Sequence, residues 1–340
     1  MRPHLAAVAL ALAACGKPSA EPAFAFAAVP GMACADGSAT GIGLSRGTSD
    51  VLLFLNGGGA CWDACHCDAS PGPFGPQELA FGQAGALAGT ILDRNLAGNP
   101  FARFTMVFVP YCTGDVHAGD AVQAYPAMGA TCAATGTWRH HGHRNVEAAL
   151  AWVGANLPRP TRIVVAGSSA GGFGSLLAYD LVRSRWPDGE LPPVTAALLD
   201  DSGPTFDPPA LPTALTWVWW DSWGLGSTVT PLCAGCKDHL PEIWSVLSTK
   251  YPNDLLALLS TTNDPTIEGF FNLVPQDFAT ALGVLAADVG ALPNAASFQS
   301  ATPGHALLVS PATYRAGTTP LLSWLDPIAV GTGSFVSAGP

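Results

Sequence analysis

The segment 167–171, Gly-Ser-Ser-Ala-Gly, has the residue types and the spacing of a serine nucleophile. It directly follows an apolar run over 162–166, which is typical of a buried strand, and directly precedes a helical pattern over 170–186. A serine on such a sharp strand-to-helix turn is exposed at the end of a sheet, and small residues must flank it. We predict that Ser169 is the nucleophile; the alternative is a structural turn.

A serine hydroxyl is a poor nucleophile unless a base accepts its proton. Where this turn occurs in α/β-hydrolases, an acid and then a histidine follow the serine along the chain. Two histidines follow Ser169 here, His239 and His305. His305 stands in a turn beside the last predicted strand, which favours it as the base. His239 stands in a loop at the start of a helix, where an exposed residue is the simpler interpretation.

The acid of this arrangement is expected at the end of a strand that lies between the serine and the histidine. Asp264 follows the apolar run 255–259, and Pro265 keeps it out of the helical region, in a loop at the strand end. There it would fix the tautomer of the histidine and stabilise the imidazolium. Asp200 and Asp201, which follow the preceding strand, are the alternative acids or could buttress the site. Asp264 could also form a simple turn before the proline.

A glycine-rich segment over 56–60, Asn-Gly-Gly-Gly-Ala, closes an early predicted strand. Glycine lets the backbone approach a substrate without a Cβ in the way, so that its N–H groups can stabilise an oxyanion. We predict an oxyanion hole formed by Gly58, Gly59 and Ala170, the residue after the nucleophile. A phosphate-binding loop is excluded because no Gly-Lys-Ser/Thr follows, which leaves a flexible turn as the alternative.

Several polar and aromatic residues are candidate substrate contacts. Asp115 and His117 follow a strand end, where they either bind substrate or fix the loop. Trp219 lies in the aromatic segment 217–223, which is either a cap that contacts a sugar or an acyl chain, or a helix buried against the core. The three histidines within 140–143 are interpreted as packing at the start of a helix, and we expect no metal there.

The elements that must position these residues are short apolar runs that alternate with helical patterns. The runs cover 51–55, 105–109, 162–166, 194–199, 255–259 and 306–309, and the helical patterns cover 144–157, 170–186, 241–250, 276–292 and 319–328. This alternation predicts an α/β fold with a mostly parallel sheet and helices on both faces. Ligands bind such sheets beyond the carboxyl ends of the strands. No linker divides the chain, so we predict a single domain over 31–340 with a cap or loop insertions.

The overall composition fits a large folded domain. Hydrophobic residues make up 49% of the 340 and charged residues 11%, which excludes a disordered chain and a coiled coil. The sequence has 14 Lys and Arg against 25 Asp and Glu, a net charge of −11. No basic field is available to attract phosphates, so we expect no nucleic-acid partner.

The first residues have the pattern of an export signal. Residues 1–14 combine Arg2 with an apolar run too short to span a bilayer, which predicts a signal peptide. Cys15 completes a segment, 12–16, that resembles a bacterial lipobox, whose cysteine is acylated. We predict an exported protein with a tether over 15–30. It is either a cell-envelope lipoprotein, in the outer membrane, held only by lipid at Cys15, or a secreted protein in which that cysteine is incidental.

Eight further cysteines follow this signal, and an even number in an exported protein implies disulfides. They are Cys34, Cys61, Cys65, Cys67, Cys112, Cys132, Cys233 and Cys236. The sequence does not fix their pairing. Zinc ligation by the closely spaced cysteines and a redox-active pair at 233 and 236 are the alternatives, and the oxidising compartment favours disulfides over zinc.

Four blocks of sequence together resemble the pectin acetylesterase/Notum family of serine esterases, over about residues 30–330. The blocks are 55–63 (LNGGGACWD), 109–117 (VPYCTGDVH), 167–172 (GSSAGG) and 201–204 (DSGP). The resemblance implies an α/β-hydrolase fold and hydrolysis of an O-acyl ester. It places Ser169, Asp264 and His305 at the triad positions and Gly58, Gly59 and Ala170 at the oxyanion positions. Animal Notum proteins carry tryptophan where Gly59 aligns, so the resemblance implies esterase chemistry rather than a particular acyl group.

The function predicted from the sequence is that of a serine esterase that needs no cofactor. The family resemblance favours acetyl esters of carbohydrates, cleaved through an acyl-enzyme intermediate. The aromatic segment and the apolar composition leave a lipid or polyester carboxylesterase on the same triad as an alternative. A non-catalytic binding protein of the cell envelope on an esterase scaffold is the alternative from another class.

Overall fold

The structure is a computed structural model that describes residues 23–68, 72–81, 86–128, 132 and 136–340. The predicted signal peptide and Cys15 lie outside the described residues. Residues 25–30, the last part of the predicted tether, are part of the first strand instead. That strand belongs to the fold because it buries Val29 and Met32 against the core.

Within the described residues, eight strands form the central sheet and two short pairs lie apart from it. The strands are β1 (Ala25–Ala33), β2 (Ala39–Ser45), β3 (Val51–Leu55), β4 (Thr105–Val109), β5 (Ala121–Tyr125), β6 (Gly136–His140), β7 (Arg162–Ser168), β8 (Thr195–Asp201), β9 (Leu255–Thr261), β10 (Ala295–Ser300), β11 (Arg315–Ala316) and β12 (Thr319–Pro320). The central order is β1-β2-β4-β3-β7-β8-β9-β10. β2 is antiparallel to β1 and β4, and all the other neighbours are parallel.

The register of the parallel strands brings their carboxyl ends to one edge of the sheet. Leu55 at the end of β3 is level with Gly167 in β7, and Gly167 is level with Asp200 in β8. Asp201 is in turn level with Leu259 in β9. The loops that follow β3, β7, β8 and β9 therefore leave the sheet side by side, at the edge where such sheets bind ligands.

Helices cover both faces of the sheet. They are α1 (Ala64–Asp68), α2 (Pro76–Phe81), α3 (Gly142–Asn156), α4 (Ala170–Leu177), α5 (Tyr179–Ser184), α6 (Thr213–Trp223), α7 (Leu225–Thr228), α8 (Glu242–Lys250), α9 (Pro265–Phe271), α10 (Pro275–Gly290), α11 (Leu321–Trp324) and α12 (Asp326–Val330). One core contains Leu53 of β3 with side chains from α3, α4, α8 and α10. The other contains Leu52 with side chains from α11 and α12. Burial on both faces explains the continuous apolar strands, and the predicted α/β-hydrolase fold is confirmed.

Several details differ from the predicted elements. The helical pattern over 319–328 is divided into α11 and α12, and β1, β2, β5 and β6 are not among the predicted runs. The apolar run 306–309 is not a strand but holds a short 3₁₀ turn, Leu307–Val309, whose first two side chains are buried. The strand at the edge of the central sheet next to β9 is instead β10 (Ala295–Ser300), whose serine and glutamine side chains interrupt the apolar pattern of a buried strand. The helical pattern over 170–186 is divided into two helices, α4 and α5, which are separated at Ala178.

The eight cysteines from Cys34 onward, all among the described residues, form four disulfides. The pairs are Cys34–Cys112, Cys61–Cys67, Cys65–Cys132 and Cys233–Cys236. The disulfide prediction is confirmed, and these bonds indicate a protein of an oxidising compartment outside the cytoplasm. In the described part of the chain, no single helix has both the length and the apolar character to cross a membrane; the bent pair α9 and α10 meets that test by length and composition alone.

Candidate active site

Ser169 lies on the turn between β7 and α4 and has an unusual backbone conformation. Its φ is 60° and its ψ is −123°, which a residue with a side chain adopts only under strain. Its N–H donates to the Asp201 carbonyl at 2.7 Å, and its own carbonyl accepts from the N–H of Gly172, the first turn of α4. The strand, the sharp turn and the helix are therefore present as the sequence predicts, with the serine half-buried at the sheet edge.

The glycines around this turn are required by close contact with the neighbouring loop. A Cβ on Gly167 would lie 2.0 Å from the Gly171 carbonyl oxygen, and one on Gly171 would lie 2.0 Å from that of Leu55. A Cβ on Gly57 would lie 2.5 Å from the Ser168 carbonyl oxygen and 3.0 Å from the Ser169 Cβ. The glycine-rich loop after β3 is thus packed directly against the serine turn.

His305 and Asp264 are joined by a hydrogen bond on the loops after β10 and β9. The His305 Nδ1 lies 2.8 Å from the Asp264 Oδ2, and the carboxylate is fully buried. The Asp264 Oδ1 accepts from the N–H groups of Thr266 and Ile267 at 3.1 Å, so the same side chain caps α9. Pro265 is the first residue of the helix, and its ring restricts the backbone of Asp264 to the extended region. Asp264 therefore forms the turn before the helix and contacts His305 in the same conformation, so the two interpretations of this residue do not exclude each other.

The other candidate acids and the other candidate base have different partners. Asp201 accepts from the Ser168 hydroxyl at 2.7 Å, and Asp200 accepts from the N–H of Gly203 at 3.0 Å. His239 is exposed and shares a hydrogen bond with Asp207. The hydrogen bond to His305 therefore falls to Asp264 among the carboxylates that the sequence left open.

Ser169 lines a small cavity that we call the serine cavity, with a volume of about 70 Å³. Its lining residues are Gly59, Ala60, Val116, Ser169, Ala170, Phe173, Trp219, Thr266, Ile267 and Phe270. Two of the three predicted oxyanion residues, Gly59 and Ala170, are in this wall. Gly58 is exposed beside it on the same loop. Apart from Ser169, Thr266 and the indole N–H of Trp219, which has no hydrogen-bond partner among the described residues, the side chains that line the cavity are apolar.

Trp219 is buried in the wall of the serine cavity, 4% exposed, and stacks on Trp223 at 5.2 Å between ring centroids. Its helix, α6, also buries Trp220 and leaves Trp217 exposed. The segment is therefore a helix packed on the core, and the same helix presents one aromatic ring to the cavity. The interpretation as a helix buried against the core fits this packing, and contact of Trp219 with a sugar or an acyl chain stays a prediction.

Asp115 and His117 are buried in the loop after β4, outside the lining of the serine cavity. The His117 Nε2–H donates to the Asn56 carbonyl at 2.8 Å, directly before the glycine-rich loop. Asp115 accepts from the Thr113 hydroxyl and from the N–H of Gly142. Burial lowers the pKa of His117 to about 4 and raises the pKa of Asp115 to about 6. These contacts favour the loop-fixing role that the sequence left open for both residues.

His140, the first of the three histidines near the start of α3, is fully buried and takes part in packing. The His140 Nδ1–H donates to the Thr113 carbonyl, and its other nitrogen accepts from the Tyr125 hydroxyl at 2.8 Å. Burial lowers the pKa of His140 to about 4. The Cys61 and Cys67 sulfur atoms lie within 4.8 Å of the ring nitrogens of His140, but they are bonded to each other and are not thiolate ligands.

Comparison with known proteins identifies the family of this chain. Residues 22–213 match the family described as Pectinacetylesterase, which is more than half of the chain. This protein belongs to the pectinacetylesterase family. Palmitoleoyl-protein carboxylesterase NOTUM of Homo sapiens is 32% identical over 178 residues, covering 50% of this chain and 34% of that protein. Palmitoleoyl-protein carboxylesterase notum1 of Xenopus laevis is 31% identical over 186 residues, with the same coverage.

The chain thus spans about a third of the length of the curated relatives that it matches. A structural likeness extends further along the chain. The crystal structure of the Wnt deacylase Notum from Drosophila superposes with a TM-score of 0.66 at 21% identity, covering 94% of this chain and 96% of that one. At this identity the likeness shows the fold of this pectinacetylesterase-family member.

The pectinacetylesterase match covers only part of the site. It includes the glycine-rich loop and Ser169 but ends before Asp264 and His305, whose assignment depends on their hydrogen bond. Sequence reasoning missed Ile267 and Phe270, which α9 contributes to the serine cavity. The signal for them was available, because α9 begins directly after Asp264. A helix that Asp264 caps lies close to His305, because the same carboxylate contacts both.

Proposed function

We propose that this protein is an extracytoplasmic serine esterase that cleaves short O-acyl esters, acetyl esters foremost, with Ser169, His305 and Asp264 as its catalytic triad. One observation carries the proposal. The sheet edge that holds Ser169 on a strained turn also holds the hydrogen-bonded pair of His305 and Asp264. Family membership supports an ester as the substrate.

The mechanism follows from the chemistry of these groups. The Ser169 Oγ attacks the ester carbonyl while the His305 Nε2 accepts its proton, and Asp264 stabilises the imidazolium through Nδ1–H. The backbone N–H groups of Gly58, Gly59 and Ala170 stabilise the tetrahedral oxyanion. The imidazolium then protonates the leaving alcohol, and an acyl-serine forms. Water, deprotonated by the same imidazole, hydrolyses the acyl-serine and regenerates the enzyme.

The serine cavity supports a short acyl group. With a volume of about 70 Å³ it is small, and it suits a short acyl group better than a long one. Phe173, Trp219 and Phe270 close it with aromatic rings. The curated relatives carry the name palmitoleoyl-protein carboxylesterase, and a long fatty acyl chain of that kind exceeds this space. An acetyl group fits it.

A carbohydrate is the proposed alcohol of the substrate. Beside the serine cavity, the half-buried Trp62 ring stacks on the exposed His66 ring at 4.0 Å and meets the edge of Phe270 at 5.7 Å. Such an aromatic surface suits the C–H faces of a sugar ring, and the family description points to acetylated pectin. The apolar wall of the cavity favours, as a second candidate, a lipid or polyester carboxylesterase on the same triad.

The test begins with covalent labelling by a fluorophosphonate probe and mapping of the labelled peptide. We expect label on Ser169, and neither label nor turnover of p-nitrophenyl acetate by Ser169→Ala. Absence of label on the folded wild-type protein would instead support a non-catalytic binding protein. A series of p-nitrophenyl esters separates the two esterase candidates, because a preference for long over acetyl chains contradicts deacetylation.

We further propose that the chain is exported by its first 14 residues and anchored in the cell envelope, at the outer membrane, by lipid on Cys15. The disulfides support an oxidising compartment. Metabolic labelling with a clickable fatty acid tests the anchor. Label is expected on the wild type and not on Cys15→Ser; a wild-type protein free of label and released to the medium contradicts the lipoprotein proposal in favour of secretion.

A further inference from the structure

Asp201, the last residue of β8, is the meeting point of the two loops that carry the proposed serine and the proposed base. It is fully buried. Its Oδ2 accepts from the Ser168 hydroxyl at 2.7 Å and from the N–H of Leu308 at 2.8 Å. Its Oδ1 accepts from the N–H of Leu307 at 2.8 Å and from the Ser202 hydroxyl at 3.3 Å. Four donors thus converge on one carboxylate.

The two sides of this contact are far apart in the sequence. Ser168 precedes the nucleophile directly, whereas Leu307 and Leu308 follow His305 by two and three positions, more than a hundred residues beyond Asp201. The Asp201 carbonyl also accepts the N–H of Ser169 at 2.7 Å. One residue therefore holds the serine turn by its main chain and its side chain, and the histidine loop by its side chain alone.

We propose that Asp201 is a positioning residue of the esterase reaction, which sets the separation of the Ser169 hydroxyl and the His305 imidazole without touching the substrate. This inference rests on the proposed function. A proton can pass between the two groups only at hydrogen-bond distance. A misplacement of about 1 Å at such a pair costs about a hundredfold in rate.

The arrangement needs a carboxylate rather than an amide. Burial raises the pKa of Asp201, and the hydrogen bonds from Ser168, Leu307 and Leu308 oppose that rise by stabilising the ionised form. An ionised carboxylate only accepts hydrogen bonds, and Asp201 has at least one N–H donor on each oxygen. An asparagine would turn an NH₂ group towards one of these N–H groups, and the buried donor would lose its partner. Asp201→Asn should therefore release the histidine loop from the serine turn.

Asp200 provides a matched control because it is equally buried and adjacent in sequence. Within the described part of the chain, its Oδ1 accepts from the N–H of Gly203 alone, and its Oδ2 has no hydrogen-bond partner. Burial and the nearby Asp201 charge raise the pKa of Asp200 well above its usual range. A neutral carboxylic acid tolerates an unpaired oxygen better than an anion does. Asparagine is a close isostere of that neutral acid.

The experiment compares Asp201→Asn with Asp200→Asn in the disulfide-bonded protein, using p-nitrophenyl acetate and the rate of fluorophosphonate labelling. Active sites are counted by the labelling end point, so that misfolded molecules do not enter kcat. We expect kcat of Asp201→Asn to fall about ten- to a hundredfold with KM within about twofold. Asp200→Asn should stay within about twofold of the wild type.

The pH profile of kcat/KM adds a readout that a purely structural role would not move. The ionisable groups around His305 are Asp264, Asp201 and Tyr314, and burial together with the Asp201 and Asp264 charges raises the pKa of Tyr314. Asp201 and the protonated His305 attract each other, so replacing the carboxylate by an amide should move the acidic limb of the profile to lower pH. Asp200→Asn should leave that limb in place.

Ser168→Ala keeps the test decisive if Asp201→Asn does not fold, because it removes one donor and leaves the carboxylate. We expect it to lower kcat about two- to tenfold. Equal kcat per active site in Asp201→Asn and Asp200→Asn, or an unmoved acidic limb, overturns the inference. Failure of the wild type to label or to turn over ester would instead refute the proposed function, so the two failures are distinguishable.

Discussion

Asp264 and His305 lie 41 residues apart in the chain and are joined by a hydrogen bond of 2.8 Å that uses one carboxylate oxygen, while the other oxygen caps α9. The proposed acid, Asp264, is thus bonded both to the start of α9 and to the imidazole of His305. Because Asp264 is fully buried and its two oxygens have separate partners, its orientation cannot change without breaking the cap.

Asp264→Asn is expected to separate the two roles of this carboxylate. Asparagine is also a good helix cap, so the melting temperature should change little. Its amide cannot accept from the His305 Nδ1–H while its oxygen caps the helix, and the imidazole would take the wrong tautomer. We expect kcat for p-nitrophenyl acetate to fall about 10³–10⁴-fold. The control is Asp207→Asn, which affects the hydrogen bond of the exposed His239. Equal kcat in both variants contradicts the assignment.

Phe270→Ala should change the preferred acyl length. Phe270 lines the serine cavity and is 36% exposed, so its removal enlarges the cavity at little cost in stability. We expect the ratio of kcat/KM for p-nitrophenyl hexanoate over acetate to rise about tenfold, since apolar contacts of this kind discriminate by such factors. Val274→Ala, at a more exposed residue just beyond α9, is the control. An unchanged ratio would place the acyl group elsewhere.

The stability of the protein should depend on opposing buried groups between pH 4 and 6.5. Burial lowers the pKa of His117 and His140 to about 4, so the unfolded chain binds protons first and stability falls as the pH is lowered through this range. Burial raises the pKa of Asp115 and Asp254 to about 6, which has the opposite sign: their folded forms bind protons first, and stability rises as the pH is lowered.

Asp115→Asn removes one of the two opposing carboxyls, so the unfolding free energy should fall more steeply on acidification than in the wild type. The added loss between pH 6.5 and 4 should be roughly 2 kcal/mol, because this window covers most of the interval between the folded pKa of about 6 and the unfolded value. Urea unfolding at several pH values measures it. Asp221→Asn, at a side chain that is 80% exposed, is the control, and parallel curves for the two variants would contradict the prediction.

The disulfides should differ in their contribution to stability. The Cys34–Cys112 bond closes a loop with a sequence separation of 78, whereas Cys233–Cys236 closes a separation of 3. Chain entropy predicts that replacing the long-range pair by serines costs about 4 kcal/mol and that replacing the local pair costs much less. Thermal unfolding of the two double variants compares them directly, and an equal fall in melting temperature would count against the entropic account.

The serine turn and the position of Asp264, the proposed acid, at the end of β9 are predictable from the sequence because their signals are local. The motif around Ser169 joins a buried strand to a helix within a few residues, and Pro265 fixes the backbone of Asp264 from the next position. The apolar strands flanking these residues are buried on both faces, so their composition shows them clearly. The fold class follows from the same alternation of strands and helices.

The remaining features depend on contacts that no local pattern contains. β10 carries serine and glutamine side chains, so its identity as a strand comes from its pairing with β9 rather than from its composition. The buried run at 306–309 is held by hydrogen bonds to Asp201 and not by the sheet. The loop-fixing contacts of His117 and Asp115 likewise depend on tertiary neighbours, the Asn56 carbonyl after β3 and the N–H of Gly142 at the start of α3.

The common level of the strand ends has a consequence for how this scaffold could be altered. The groups proposed to do chemistry follow β3, β7, β9 and β10, whereas the long excursion 202–254 between β8 and β9 contributes Trp219 to the pocket and none of those groups. The exposed positions of that excursion, Trp217 among them, can be exchanged while the reactive set keeps its place. Such changes could alter the substrate selectivity while the proposed catalytic groups stay unchanged.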